Sequence, residues 1–246
     1  MEEQLNPSTT LSVDYVGSRD NHLVLNYTDN SPVPSKMGPG PIGPRSLFPY
    51  FPEEFAYDTN LGYASYNALD VKAERRFSQG LTFLASYAWS HCLDINSGLY
   101  DGDPIPNPYD FRSIYGRCDQ DYPNVLTFSG VYNLPIGRGK QFGSGWSGAS
   151  NAILGNWQVG GILAANSGAP FTVYIPFDNA NTGTGGQLAE LVGNPLPSGF
   201  KQSRALWYNP AAFASAPYTR WGTSGAGGNG RRRSRRPHVI SWSTFG

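Results

Sequence analysis

At 246 residues, with 30 glycines, 20 prolines, 14% aromatic and only 15% charged residues, the chain is composed for many strands and turn-rich loops, not for disorder, which is poor in aromatics and rich in charge. Lysine plus arginine (18) balances aspartate plus glutamate (18), so no overall charge draws the chain to nucleic acid or anionic lipid. No run of about 18 apolar residues offers a transmembrane helix, and two cysteines, Cys92 and Cys118, are too few for a disulfide scaffold and lack metal-ligand spacing.

The opening "MEEQLNPSTT" is acidic and polar, unlike a secretory signal. The expectation is a cytoplasmic protein or an internal piece of a longer chain. The first strand signal follows in "STTLSVDYVGS", where Leu11, Val13 and Tyr15 alternate with Ser12 and Asp14.

The strongest signal is "YNALDVKAERRFSQGLTFLASYAWSH", residues 66–91. Leu69, Val71, Ala73 and Phe77 alternate with Asp70, Lys72, Glu74 and Arg76, and after Ser78-Gln79-Gly80 the alternation resumes in Leu81, Phe83, Ala85, Tyr87 and Trp89. A helical stripe also fits the first arm, but the β-rich, aromatic second arm and a short glycine-containing connection select a hairpin. Pairing Phe77 with Leu81 sets Arg75 opposite Phe83, Ala73 opposite Ala85, Val71 opposite Tyr87 and Leu69 opposite Trp89. All of these share one face because strand side chains have period two. Lys72 then meets Ser86 and Asp70 meets Ala88 on the other face. Arms of about 11 or 12 residues exceed the roughly 5–6 of an ordinary soluble strand and match the 9–11 that cross a bilayer tilted. Arg75, near the turn, has a stem long enough to reach headgroups.

Three further segments repeat the pattern. "NVLTFSGVYNLP" sets Leu126, Phe128, Tyr132 and Leu134 against Thr127, Ser129 and Asn133. "NWQVGGILAANSG" sets Trp157, Val159 and Leu163 against Gln158 and Asn166, with Ile162 breaking the pattern, and "APFTVYIPF" gives a shorter arm with Phe171, Val173 and Ile175. A last stretch, "HVISWSTF", alternates over 238–245. The connection at 78–80 is tight, whereas 92–121 and 177–206 are long, polar and rich in Gly, Pro, Asn and Asp; short turns on one side and long loops on the other mark outer-membrane barrels. The segment 136–155 is longer than that rule predicts for a turn. Six or seven strands result: an all-β antiparallel meander, a partial transmembrane β-barrel with long outer loops. The competing architecture is a secreted, soluble β-sandwich that binds carbohydrate through exposed Trp and Tyr and buries its apolar face as core.

In that order the chain carries "YVGS", "YNALDVKAERRFSQGLTFLASYAWS", "FSGVYNLPIGRGK", "LGNWQVGGILAANSGAPFTV", "NTGTGGQLAELVGNP" and "WYNPAAFA". Over roughly residues 8–225 it resembles the C-terminal barrel portion of TonB-dependent outer-membrane receptors of the Oar-like type, common in acidobacteria. The resemblance implies a barrel of about 22 strands in the outer membrane of a Gram-negative bacterium. It also implies uptake of a bound ligand through a plugged lumen, driven by TonB. The family's signal peptide, plug and TonB-contacting segment have no counterpart here. The end, 226–246, with "GAGGNGRRRSRRPHVISW", departs from its pattern. Residues 1–246 are therefore expected to be a fragment of one barrel domain. Its partners would be outer-membrane lipid, the remaining barrel and plug segments and the TonB complex, with no nucleic acid.

Within this frame Asp70, Lys72, Glu74 and Arg76 face the lumen, as polar wall or ligand path. Phe77, Phe83, Tyr87, Trp89, Tyr132 and Trp157 form lipid-facing aromatic girdles. Cys92 and Cys118 flank the same long loop, where an oxidising exterior favours a disulfide. His22, His91 and His238 have no partner spacing, and no G-x-S-x-G or H-E-x-x-H occurs. Asp101, Asp103, Asp110, Asp119 and Asp121 fit no calcium-loop pattern. "GTGGQ" and "GAGGNG" do not sit between a strand and a capped helix, as phosphate cradling requires, and Arg231–Arg236 reads as a solvated loop or a reading-frame error. No catalytic residue, cofactor or metal is expected.

Overall fold

The structure is a computed structural model that describes residues 1–28, 30–51, 56–97, 105, 107–183, 187–203, 206–217 and 220–223. The stretch "HVISWSTF", the arginines at 231–236, His238, Asp101 and Asp103 lie outside the described residues.

One antiparallel sheet forms the body. Its strands are β1 (Glu2–Asn6), β2 (Thr9–Thr28), β3 (Ala56–Ser78), β4 (Leu81–Asp94), the two-residue β5 (Gly116–Arg117), β6 (Asn124–Asn133) and β7 (Gln158–Asn166). They are ordered β1-β2-β3-β4-β6-β7, with β5 paired on the upper end of β4. This is the expected meander. Each neighbour in space is the next long strand in sequence, which short turns and antiparallel pairing favour. Among the described residues β1 and β7 each have one partner, so the sheet is an open wall.

The β3–β4 register places Leu69 opposite Trp89, Val71 opposite Tyr87, Ala73 opposite Ala85, Arg75 opposite Phe83, Lys72 opposite Ser86 and Asp70 opposite Ala88. The expected pair at the turn does not form. A register shift between Arg75 and Ser78 puts Ser78, not Phe77, opposite Leu81. The connection is two residues, Gln79 (φ 52) and Gly80 (φ 81), the left-handed pair that a tight hairpin turn needs to match strand twist. The extra residue is absorbed as a bulge, and Phe77, 66% exposed, drops out of the pairing.

Two strands are longer than the sequence pattern suggests. β2 continues to Thr28 and β3 begins at Ala56, so the hairpin runs on from Asn67 for roughly 36 Å at about 3.3 Å per residue. Register shifts between Asn21 and Leu25 break its period. His22 takes φ 60 there, and a Cβ on Gly62 would lie 2.6 Å from the Leu23 carbonyl oxygen. β1 lies in the polar opening stretch, which carries no strand signal. Conversely, "APFTVYIPF" adds nothing to the wall. Only β8 (Tyr174–Ile175) forms, paired with β9 (Gln187–Leu188), while β10 (Glu190–Leu191) pairs with β11 (Phe213–Ala214).

Among the described residues the apolar clusters lie at one end of the wall, not along its middle. Leu25, Ile95, Ile105, Ile114 and Leu188 cluster with Tyr63, Phe111 and Tyr115. Ile175, Ala189 and Ala216 cluster with Val173 and Phe213. The first is supplied by the upper hairpin, the β4–β6 connection and Leu188, the second wholly by residues that follow β7. Helix α1 (Phe111–Ile114), capped by the Asp110 carboxylate accepting from the Arg112 N–H, presents Ile114 to the first cluster. The loops expected to be long and polar contribute buried apolar residues to a packed layer. At the opposite end, residues 134–157 fold into a compact turn carrying α2 (Gly148–Leu154).

Candidate functional site

Cross-strand pairing sorts the wall into two faces, because directly opposed residues point the same way. One face reads, strand by strand from β2 to β7, Val13–Val71–Tyr87–Leu126–Ala165, and below it Leu11–Ala73–Ala85–Phe128–Leu163. The other reads Asp14–Asp70–Ala88–Val125–Asn166 and Ser12–Lys72–Ser86–Thr127–Ala164. A one-residue slip would mix the two sets completely.

The apolar face is bare. Leu69, Tyr87, Trp89, Leu126, Phe128 and Leu163 are all between 37% and 46% exposed, and among the described residues no second sheet covers them. A soluble sandwich would bury this face as its core; here the two small sheets belong to the loop layer instead. From Leu81 to Trp89 the face is roughly 26 Å long along the strand, close to the apolar band of an outer-membrane barrel.

Both ends of the band are aromatic. At the loop end the Tyr15 hydroxyl donates to Asn67 Oδ1 (2.7 Å) and the Tyr87 hydroxyl to Asn124 Oδ1 (2.6 Å), beside Trp89. The rings lie along the apolar face and their hydroxyls reach the polar residues that end it, as amphipathic rings do at an interface. At the turn end stand Tyr132 and Trp157, whose indole N–H donates to the Ile153 carbonyl oxygen (2.9 Å). Phe83 lies between these ends, opposite Arg75 and stacked diagonally on Phe128 of β6.

Asp70, Lys72 and Glu74 stand together on the other face. Lys72 Nζ lies 3.3 Å from Glu74 Oε2, and Ser86 and Thr127 share a 2.5 Å hydroxyl bond. Arg76 lines a groove there with Glu2, Gln4 and Thr10. A second groove, of about 690 Å³, runs past Glu74, Arg76, Leu84, Ser129, Val131 and Ile162 of the same face, with Arg75 and Phe83 also bordering it. The wall is therefore hollowed on its polar side. Toward β7 this side loses its charge, and Ile162 is 87% exposed.

Above the wall, buried polar clamps order the loops. Cys92 and Cys118 are joined by a disulfide (Cα–Cα 5.4 Å) at the base of the β4–β6 connection. Beside it the Asp121 carboxylate is fully buried. It accepts from the Arg117 Nε–H and from the Cys92 N–H (3.0 Å), with His91 Nδ1 at 3.4 Å. His91 thus has a partner that its spacing does not announce. Burying a carboxylate is costly unless it is paired and hydrogen-bonded, and here both conditions are met. Asp119 is hydrogen-bonded through its N–H to Ser97 Oγ (2.9 Å). Asn30, 2% exposed, grips Phe48 through both ends of its amide (2.9 and 3.1 Å). Arg45 Nη2 donates to the carbonyl oxygens of Gly40 (2.8 Å) and Asn181 (3.3 Å), while the Tyr109 hydroxyl donates to that of Ser31 (2.8 Å). Three connections distant in sequence become one platform. Leu47, Phe48, Tyr50 and Phe51 remain exposed on it, Tyr50 at 99%.

Residues 1–244 match the protein family described as an outer membrane beta barrel domain. No curated protein and no solved structure matches the chain.

Proposed function

The chain belongs to the outer membrane beta barrel domain family and its place is the outer membrane, and on that premise we propose that it forms part of the wall and the outer loops of a TonB-dependent receptor of the Oar-like type. The receptor takes up a ligand bound first by the loop layer. The apolar face meets lipid through Tyr87, Trp89, Phe83, Tyr132 and Trp157. The hollowed face, with Asp70, Lys72, Glu74 and Arg76, lines the water-filled interior. Among the described residues the edges at β1 and β7 are open, and the remaining barrel strands, the plug and the TonB complex are its partners in this reading. The reading assigns no catalytic residue, cofactor or nucleic acid.

The observation that carries it is the pairing of a bare apolar band with a separately packed loop platform at one end, which suits a protein that stands in lipid and captures solute outside. The order of motifs over residues 8–225 supports the receptor type. In-cell cross-linking of the full-length chain tests it. Adducts with TonB are expected under conditions of uptake, and a correctly inserted barrel that never contacts TonB would overturn the transport reading while leaving the wall intact.

A further inference from the structure

From β2 to β7 the band of the apolar face contains one charge, Arg75; on the edge strand β1 Glu3, opposite Leu11, adds a second on the same face. Arg75 is opposite both Thr9 on β2 and Phe83 on β4, so its side chain leaves the wall on the side of Ala73, Val71 and Leu69. It stands four positions before the Gln79–Gly80 turn. Among the described residues no carboxylate pairs with it. Its Nε–H is packed away from solvent with no acceptor, and so is the hydroxyl of the neighbouring Thr9. Its sequence neighbour Arg76 is on the polar face among Glu2, Gln4 and Thr10. The register sends the two side chains to opposite faces, although both residues border the groove of about 690 Å³.

A cation facing hydrocarbon is costly unless its head reaches a counter-charge at the interface. Because the Nε edge is occupied by packing, that counter-charge must meet the terminal nitrogens of the guanidinium, which present two parallel N–H groups suited to phosphate. Short turns are the periplasmic side of such barrels. Glu3 lies two strands away and one row nearer the middle of the band, and among the described residues no ion pair joins it to Arg75. The anion at the depth of Arg75 is the phosphodiester of the inner-leaflet glycerophospholipid, whose acyl chains lie along the same apolar face.

We propose that Arg75, with Thr9 beside it, seats the phosphate of one periplasmic-leaflet glycerophospholipid against the wall. This rests on the membrane-wall reading given above. The lipid would fix the vertical position of the β2–β3–β4 hairpin relative to the headgroups.

The test uses the full-length protein extracted from outer membranes, with heat-modifiable gel mobility as the check of insertion and native mass spectrometry as the readout of retained lipid. Titration with phosphatidylglycerol is expected to show one tight lipid. Arg75→Gln weakens it about tenfold, a loss of the order of one charged hydrogen-bonded contact. Arg75→Lys keeps most of it, and Arg76→Gln leaves it unchanged. Unchanged binding in Arg75→Gln, or equal loss in Arg76→Gln, overturns the proposal, and so does displacement of the lipid by inorganic phosphate at equal concentration. If Arg75→Gln does not insert, the wild-type protein decides. It should prefer phosphatidylglycerol to diacylglycerol of the same chains at least tenfold, and no preference overturns the site. Loss of lipid in a normally inserted barrel bears on this site, whereas failure of the wild type to insert bears on the wall reading itself.

Discussion

Placing an arginine at Ala85 tests the two-faced wall most directly. Ala85 lies in the apolar row Leu11–Ala73–Ala85–Phe128–Leu163, four positions from Leu81 and four from Trp89, roughly 13 Å along the strand from either end of the band. That is its middle, where an arginine facing lipid costs about 2–4 kcal/mol. At about 1.4 kcal/mol per decade this lowers the folding equilibrium roughly 30- to 800-fold. The adjacent Ser86→Arg lies on the polar face and gives up chiefly its hydroxyl bond to Thr127, about 1 kcal/mol. Urea unfolding of the full-length protein in phospholipid vesicles, followed by heat-modifiable mobility, compares the two. Equal costs, or a larger cost at Ser86, would refute the assignment of faces.

Gly80→Ala should destabilise the β3–β4 turn by about 1–2 kcal/mol, since φ is 81 and the new Cβ would lie 2.9 Å from the Asn133 carbonyl oxygen; Gln79→Asn should be neutral or slightly stabilising in the same unfolding assay. Gly62→Ala, whose Cβ meets the Leu23 backbone, should cost about 1–3 kcal/mol, read as faster proteolysis of the upper hairpin with normal insertion. Replacing Cys92 and Cys118 by serine frees a connection of sequence separation 26, worth about 3–4 kcal/mol of loop closure. Hydrogen exchange should rise in residues 107–123 and stay unchanged in β6 and β7. Asp121→Ala strands the Arg117 guanidinium beside an empty site and should loosen the same segment by about 3 kcal/mol or more.

The hairpin was legible because two alternating arms flank one short turn and a single register satisfies both faces. The bulge was not, since Phe77 continues the alternation perfectly; only the two-residue turn, with both residues left-handed, forces the slip to Ser78. Upper β2 and β3 were hidden for a similar reason. His22 and Gly62 interrupt a period that no window can follow across an irregularity. In "APFTVYIPF" a local alternation exists, but only Tyr174 and Ile175 pair as a strand, and Pro176 ends it. The loop core was illegible in principle. Ile95, Ile105, Ile114 and Leu188 sit singly in polar sequence and meet only in the fold. Nor does any spacing link His91, Arg117 and Asp121; their meeting is made by the disulfide and by the pairing of β5 with β4.

Separating the buried core from the wall gives the two halves different thermal behaviour. The loop layer is held by apolar groups withdrawn from water, so its opening carries a positive heat-capacity change and a curved dependence of stability on temperature. The wall trades little water-exposed apolar surface, because lipid is as apolar as the side chains it touches, and its strength lies in backbone hydrogen bonds that hydrocarbon cannot replace. Calorimetry of the inserted protein should therefore show two transitions. The first has a heat-capacity step and leaves the barrel in place; the second, far hotter, has almost none. Between them lies a range of temperature in which the barrel is still in place but the packed loop layer at one end of it has come apart.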